Sequence, residues 1–151
     1  MTNLAAFDPG LSLRPLPISL DGSRGSNRAE QTAKKLIAAD SDLEAVGLWL
    51  AEYADSPHTL RSYRKEATRL LLWAIEERSK PVSSLTREDF VAFEAFLRNP
   101  SSAWWDPARS RVGSERRLMT GPMSPASVRQ SLGILSGLLS YLVEAGYLGS
   151  E

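Results

Sequence analysis

The sequence lacks cysteine altogether and has one histidine, His58. Without cysteine the chain forms neither a disulfide nor a thiolate metal site, and a single histidine excludes a multi-histidine zinc site. No apolar run approaches the roughly 18 residues of a membrane span, and no basic-then-apolar leader begins the chain. A phosphate-cradling glycine loop is also missing. We therefore expect a cytoplasmic protein with no cofactor, no membrane partner and no small-molecule substrate.

The net charge is zero, with 18 basic and 18 acidic residues among 151. The charges are nevertheless segregated along the chain. Every charged residue between 40 and 55 is acidic, whereas bases dominate residues 56–69 and 107–130. A bipolar surface can steer a polyanion to one side of a neutral protein, and ordinary solvated charge is the alternative interpretation.

Apolar residues recur at helical spacing throughout, and no segment alternates as a strand does. The pattern predicts an all-α fold, a bundle of four main helices. A flexible arm rich in Gly, Pro and Ser is expected over residues 1–27, with a possible extra leading helix after it. Within a helical domain over 28–151, the predicted helices cover about 28–39, 42–54, 57–79, 86–98 and 124–145.

Local signals mark the ends of these helices. Ser56 is a natural N-cap and Pro57 suits the first helical position, where its missing N–H is not needed. Thr86 and Asp89 form a variant of the capping box, and Gly146 is expected at the position after the last cap.

Two features near the carboxyl end need a tertiary explanation. The last helix is apolar nearly all round, which predicts a central position, and Gly133 and Gly137 would let another helix approach closely.

Before the last helix lies a connection of about 25 residues, long enough to be functional or disordered. Its Trp104-Trp105 pair either clasps the loop to the core or offers a base-stacking platform. Its arginines are either phosphate ligands or parts of a soluble loop: Arg109, Arg111, Arg116 and Arg117.

Two helix starts share one layout, Ser-Pro-x-hydroxyl-apolar-Arg, at Ser56–Arg61 and Ser124–Arg129. Such an end offers free backbone N–H groups, the positive end of the helix dipole, a hydroxyl and an arginine, which together bind phosphate or read a groove. A merely common helix start is the alternative, but the flanking bases favour DNA. The DNA contacts expected from this layout and its flanking bases are Thr59, Arg61, Arg64, Lys65, Arg69, Ser127, Arg129 and Gln130.

The chemistry of these side chains suits both kinds of DNA contact. Arginine can fork onto guanine or phosphate, and Gln130 could pair with adenine. Lys65 and Arg69 lie deeper along their helix, where a backbone contact is expected. His58 is either a surface residue near the cap or a catalyst, and no hydrolase constellation accompanies it.

These segments, in their order and spacing, resemble a known family. The runs Ser56–Ala74, Leu85–Phe90 and Ser124–Tyr147 are similar to the N-terminal core-binding domain of the tyrosine recombinases (phage integrase family). The resemblance extends from about residue 40 to the end of the chain. It implies a SAM-like four-helix bundle of two helical hairpins that forms half of a clamp around double-stranded DNA. The second and fourth helices would approach the major groove, and the resemblance adds Ser62 to the expected contacts. It also implies a bacterial or phage-derived protein whose partners are DNA and other recombinase protomers.

The chain departs from the family in two ways. The connection over residues 99–123 is longer than the family's usual short loop, so its role is not carried over. The family's catalytic residues would follow residue 151, and no tyrosine here matches its nucleophile, so the resemblance implies a chain that is not itself an enzyme. The alternative function is a helical protein–protein interaction module that uses Trp104-Trp105 and the leading helix.

Overall fold

A computed structural model of the chain describes residues 16–30, 34–106, 108 and 118–150. Within these residues the fold is all-α, as predicted, and the one extended pairing is an isolated bridge between Arg28 and Leu148. Short 3-10 turns follow the third and fourth helices. The helices of the described part are α1 (Ile18–Asp21), α2 (Asp42–Ala51), α3 (Pro57–Arg78), α4 (Arg87–Arg98) and α5 (Pro125–Glu144).

The ends of α4 and α5 follow from local chemistry. Thr86 and Asp89 form the predicted capping box, in which the Thr86 Oγ1 accepts from the Asp89 N–H at 3.3 Å and the Asp89 carboxylate accepts from the Thr86 N–H at 2.9 Å. At the end of α5, Gly146 takes the left-handed conformation with φ 79°. The N–H of Tyr147 then reaches back to the Leu142 carbonyl at 2.9 Å, which completes a Schellman motif.

The segment before α2 is not the helix predicted over residues 28–39. None of its described residues is helical. The N–H of Ala29 donates to the Tyr147 carbonyl at 3.0 Å, and the N–H of Leu36 donates to the Ala145 carbonyl at 2.8 Å. These backbone groups therefore bond to the chain terminus instead of to each other, and helix propensity is overridden by tertiary pairing.

The described part of the expected arm, residues 16–27, is also not free. It contains α1, and the Asn27 N–H donates to the Ser83 carbonyl at 2.8 Å. Gly22 is buried with φ 85°, a conformation that a side chain rarely adopts. Residues 1–15 of the expected arm lie outside the described residues.

The chain divides into two compact units, residues 1–85 with 134–151, and residues 86–133. In the first, α2 and α3 pack together around a buried apolar core. Its most deeply buried members include Val46, Leu50, Ala67, Leu70, Trp73 and Ala74.

The second unit has a smaller core that includes Phe93, Leu97 and Trp104. The ring of Phe96 meets Trp104 edge-on at 5.1 Å, and the N–H of Met123 donates to the Leu97 carbonyl at 3.1 Å. The end of the long connection is therefore attached to α4 within this unit.

Helix α5 has an exposed face, contrary to the central position expected from its composition. Gly133, Ser136 and Gly137 are exposed, and a Cβ built on either glycine meets nothing within 4 Å. The two glycines therefore mark an open surface and not a close helix crossing. None of the described helices is both long and apolar enough to cross a membrane.

Candidate nucleic-acid interface

The first turns of α3 are fixed by an aromatic cluster. The ring of Tyr63 stacks on Trp49 of α2 with centroids 5.0 Å apart and planes 3° apart. Tyr53, just after α2, meets Tyr63 edge-on at 4.8 Å. Stacked and edge-on pairs hold rings in defined orientations, so this side of α3 is held against α2. The other side of the helix start is turned away from that contact.

On that other side lies a row of exposed cationic and polar residues, the α3 basic row, formed by His58, Arg61 and Lys65. Their spacing of three and four residues places them along one stripe of the helix. No ion pair or hydrogen bond joins the side chain of Arg61 or Lys65 to any described residue. Because like charges four residues apart destabilise a helix by about 0.2–0.5 kcal/mol, this row is an electrostatic cost in the free protein.

The remaining α3 residues expected at DNA flank this row. Thr59, Ser62 and Arg64 are half-buried, so part of each side chain stays accessible. His58, for which the sequence allows a surface position or a catalytic role, is exposed at the end of the row. Its three-residue spacing from Arg61 is the sequence signal that would have added it to the set.

Arg69, which was expected at the DNA interface, is instead buried in the protein. Its side chain is 4% exposed, and its Nη1 donates to the Glu66 carboxylate at 2.7 Å. Burial lowers the pKa of Arg69, and the neighbouring Glu66 opposes that shift. A buried cation needs its partner, so this arginine is committed to the fold and we remove it from the DNA-contact set. The three-residue spacing from Glu66 to Arg69 was the available signal for the pair.

The start of α5 presents a second exposed polar surface. Ser127, Arg129 and Gln130 are all exposed. No hydrogen bond or ion pair links the side chain of Arg129 or Gln130 to the described residues. The Ser127 N–H donates to the Ser124 Oγ at 3.1 Å, so Ser124 caps the helix with its side chain.

The two Ser-Pro starts are therefore alike in sequence but not in hydrogen bonding. Ser56 occupies the N-cap position of α3 without a side-chain cap bond, whereas Ser124 makes one. Among the described residues, no side chain caps the first N–H groups of α3. This end of α3 keeps more of its hydrogen-bonding capacity for an external acceptor than the start of α5 does.

The four long helices of the described residues have two kinds of amino terminus. Helices α2 and α4 carry acids in their first turn, as the helix dipole favours: Asp42, Glu44, Glu88 and Asp89. Helices α3 and α5 carry none there, and each has an arginine as its fifth residue. Placing cations near the positive end of a dipole is unfavourable unless an anion binds there.

The basic row belongs to the first unit and the start of α5 to the second. Each therefore stands as a separate candidate surface. The loop arginines expected as further phosphate contacts, Arg109, Arg111, Arg116 and Arg117, lie outside the described residues.

Trp104 and Trp105 make their described contacts within the second unit. Trp104 is 3% exposed and packs against Phe96. The indole N–H of Trp105 donates to the Pro100 carbonyl at 3.4 Å. These contacts favour the clasp over the base-stacking platform. They also leave Trp104 without the exposed area that an interaction module would need.

The structure contains a buried polar cluster around Tyr147 that the sequence did not predict. The Tyr147 hydroxyl donates to Asp42 Oδ1 at 2.5 Å, and the Ser83 N–H donates to Asp42 Oδ2 at 3.0 Å. The Arg28 guanidinium lies 4.0 Å from the centre of the Tyr147 ring. Burial raises the pKa of Asp42 and that of Tyr147, and the adjacent carboxylate raises the Tyr147 pKa further. Because the partners are 105 residues apart, no local spacing signals this cluster.

The cluster joins three segments of the first unit, the start of α2, the turn at Ser83 and the residues after α5. No group of described side chains has the composition of a metal site. Comparison of the chain with protein-family models, curated proteins and solved structures finds no match.

Proposed function

We propose that this chain binds double-stranded DNA through the amino-terminal turns of α3 and α5. The observation that carries the proposal is the contrast among helix starts: α2 and α4 begin with acids, whereas α3 and α5 begin without acids and present exposed arginines. A polyanion at these two ends would relieve the repulsion within the basic row and satisfy open N–H groups.

The biological setting that fits best is the one suggested by the sequence resemblance. The chain would serve as the non-catalytic, N-terminal clamp domain of a tyrosine recombinase or integrase of bacterial or phage origin. It would act in the cytoplasm, next to other protomers on DNA. Its helices would form the two hairpins of a SAM-like bundle. The contact residues would be Thr59, Arg61, Ser62, Arg64, Lys65, Ser127, Arg129 and Gln130.

Salt dependence of binding to a labelled, mixed-sequence duplex tests the proposal first. Each phosphate contact releases counterions, so contacts to about six phosphates would give a slope of log K against log salt near −5. Binding that is unaffected by salt, or no binding at low salt, would contradict a DNA interface.

Matched arginine substitutions then test the two helix starts separately. Arg61→Ala should weaken binding by about 1–3 kcal/mol, whereas Arg78→Ala, at the other end of the same helix, should leave it near the wild-type value. In the second unit, Arg129→Ala is compared in the same way with Arg98→Ala, whose side chain pairs with Glu94 on the surface. If test and control substitutions weaken binding equally, DNA is attracted by positive charge in general and the two helix starts are not its binding site.

The same variants distinguish base reading from phosphate contact. On a duplex selected from a random pool, loss of a base-reading arginine relaxes preference at one position of the site. Loss of a phosphate contact weakens all duplexes alike and reduces the salt slope by about one. Lys65→Ala is expected to behave in the second way because it lies farther from the helix end.

A further inference from the structure

We propose that a groove on the first unit binds a basic amphipathic helical segment of a partner protein. The groove has a volume of about 450 Å³ and lies between the 36–38 segment, the outer face of α2 and Tyr141 of α5. This proposal does not depend on DNA binding. The lining side chains are Leu36, Ile37, Ala38, Glu44, Leu48, Glu52 and Tyr141.

One wall of the groove is an aliphatic surface that is held open. Leu36 is 63% exposed, although its backbone N–H is fixed to the Ala145 carbonyl at 2.8 Å. Three residues later Ala39 is buried, so the backbone is held at Leu36 and again just after it. The exposed part of the Leu36 side chain is apolar area that a partner can remove from water.

The opposite wall is acidic and has no basic partner within the described chain. Glu44, Leu48 and Glu52 follow each other at four-residue intervals on α2, so two carboxylates flank an aliphatic side chain about 12 Å apart along the helix. Neither carboxylate forms an ion pair with a described residue. Glu52 also stands at the C-cap of α2, where the helix dipole is already negative and the last turn has no base.

Tyr141 shows that the negative charge reaches the floor of the groove. The pKa of Tyr141 is raised by burial and by the charge and hydrogen bond of Glu52. A cation that enters beside Glu52 would offset this charge.

The charge and shape together specify the occupant. A helix with two basic residues about two turns apart, and aliphatic residues between them on the same face, would match the acid–leucine–acid stripe. A second copy of this chain is a poorer fit, since its α3 basic row has no large exposed aliphatic residue beside it in the described part. We take a basic, aliphatic helix of a different protein as the occupant, and self-association of the chain is the outcome that would count against this choice.

The test uses the full chain and designed peptides in fluorescence anisotropy. The probe is a capped, alanine-based helix with Lys, Leu, Leu and Lys at positions i, i+3, i+4 and i+7. One control peptide replaces both lysines by glutamate, and another keeps the composition but moves the lysines off the leucine face. Saturable binding of the probe alone is expected, and equal binding of either control peptide would overturn the proposal.

Variants of the protein locate the site. Glu44→Gln and Glu52→Gln should each weaken peptide binding about two- to fivefold, as for exposed ion pairs, and Leu36→Ser should weaken it by more than about tenfold. Glu88→Gln on α4 is the matched control and should have no effect. Unchanged peptide affinity in the groove variants would refute the assignment. It would also be refuted if the protein self-associates and Leu36→Ser abolishes that self-association, because the occupant would then be a second copy of the chain. DNA binding should persist in Glu52→Gln, which separates failure here from failure of the proposed function.

Discussion

Replacing Tyr147 by phenylalanine removes one hydroxyl from the buried cluster and leaves the ring in place. That hydroxyl donates to Asp42 at 2.5 Å, and Tyr147 is 3% exposed. A hydrogen bond contributes about 0.5–1.5 kcal/mol, and a buried polar atom that loses its partner costs about 1–3 kcal/mol, which is the position of Asp42 Oδ1 in this variant. We expect the free energy of unfolding to fall by about 2 kcal/mol, which lowers Tm by roughly 4–8 °C in a chain of this size.

Urea denaturation at pH 7, followed by circular dichroism, measures this loss as a lower midpoint at an unchanged slope. Tyr141→Phe is the matched control, because that half-buried hydroxyl faces the exposed Glu52. The control should lose less than about 1 kcal/mol. A Tyr147→Phe variant as stable as the wild type would refute the claim that this hydrogen bond ties the terminus to α2.

Alkaline pH provides a second measurement on the same variant. Burial and Asp42 raise the pKa of Tyr147 above its value in the unfolded chain, about 10. The stability contributed by the neutral phenol is therefore fully present below about pH 10 and is lost as the pH rises above it. The difference in stability between wild type and Tyr147→Phe should shrink between about pH 10 and 11, and a constant difference would contradict the assignment.

Four substitutions test the backbone and the helix ends by urea denaturation. Gly133→Ala and Gly137→Ala should each stabilise the chain by about 0.5–1 kcal/mol, since both sites are helical and open; destabilisation would show that the face is covered. Gly22→Ala should cost more than about 2 kcal/mol, because φ is 85° and the new Cβ would overlap the Asp42 carboxylate; a neutral result would contradict that packing. Thr86→Ala should cost about 1 kcal/mol by removing the α4 cap, and an unchanged midpoint would mean that the capping box adds nothing.

The candidate site was predictable from sequence only where its determinants are local. The Ser-Pro layout and the spacing of Arg61 and Lys65 lie within two turns of one helix, so a sequence reader can find the α3 basic row. The buried position of Arg69 was not predictable from helical spacing, because burial depends on what packs against the helix. Its partner Glu66 lies one turn away, but spacing alone does not tell a buried pair from two solvated charges.

What the sequence determines by itself is the all-α character, the places where the long helices begin, and the ends of α3, α4 and α5, because periodicity, caps and the Schellman glycine Gly146 act over a few residues. The end of α2, at Ala51 instead of residue 54, was not predicted. Only the tertiary structure decides that residues near Leu36 stay non-helical, that Asp42 meets Tyr147, and that Gly133 faces open space. Each of these depends on contacts, or on their lack, between segments far apart in the chain. Such contacts are set by the packing of the whole molecule and leave no short-range pattern to read.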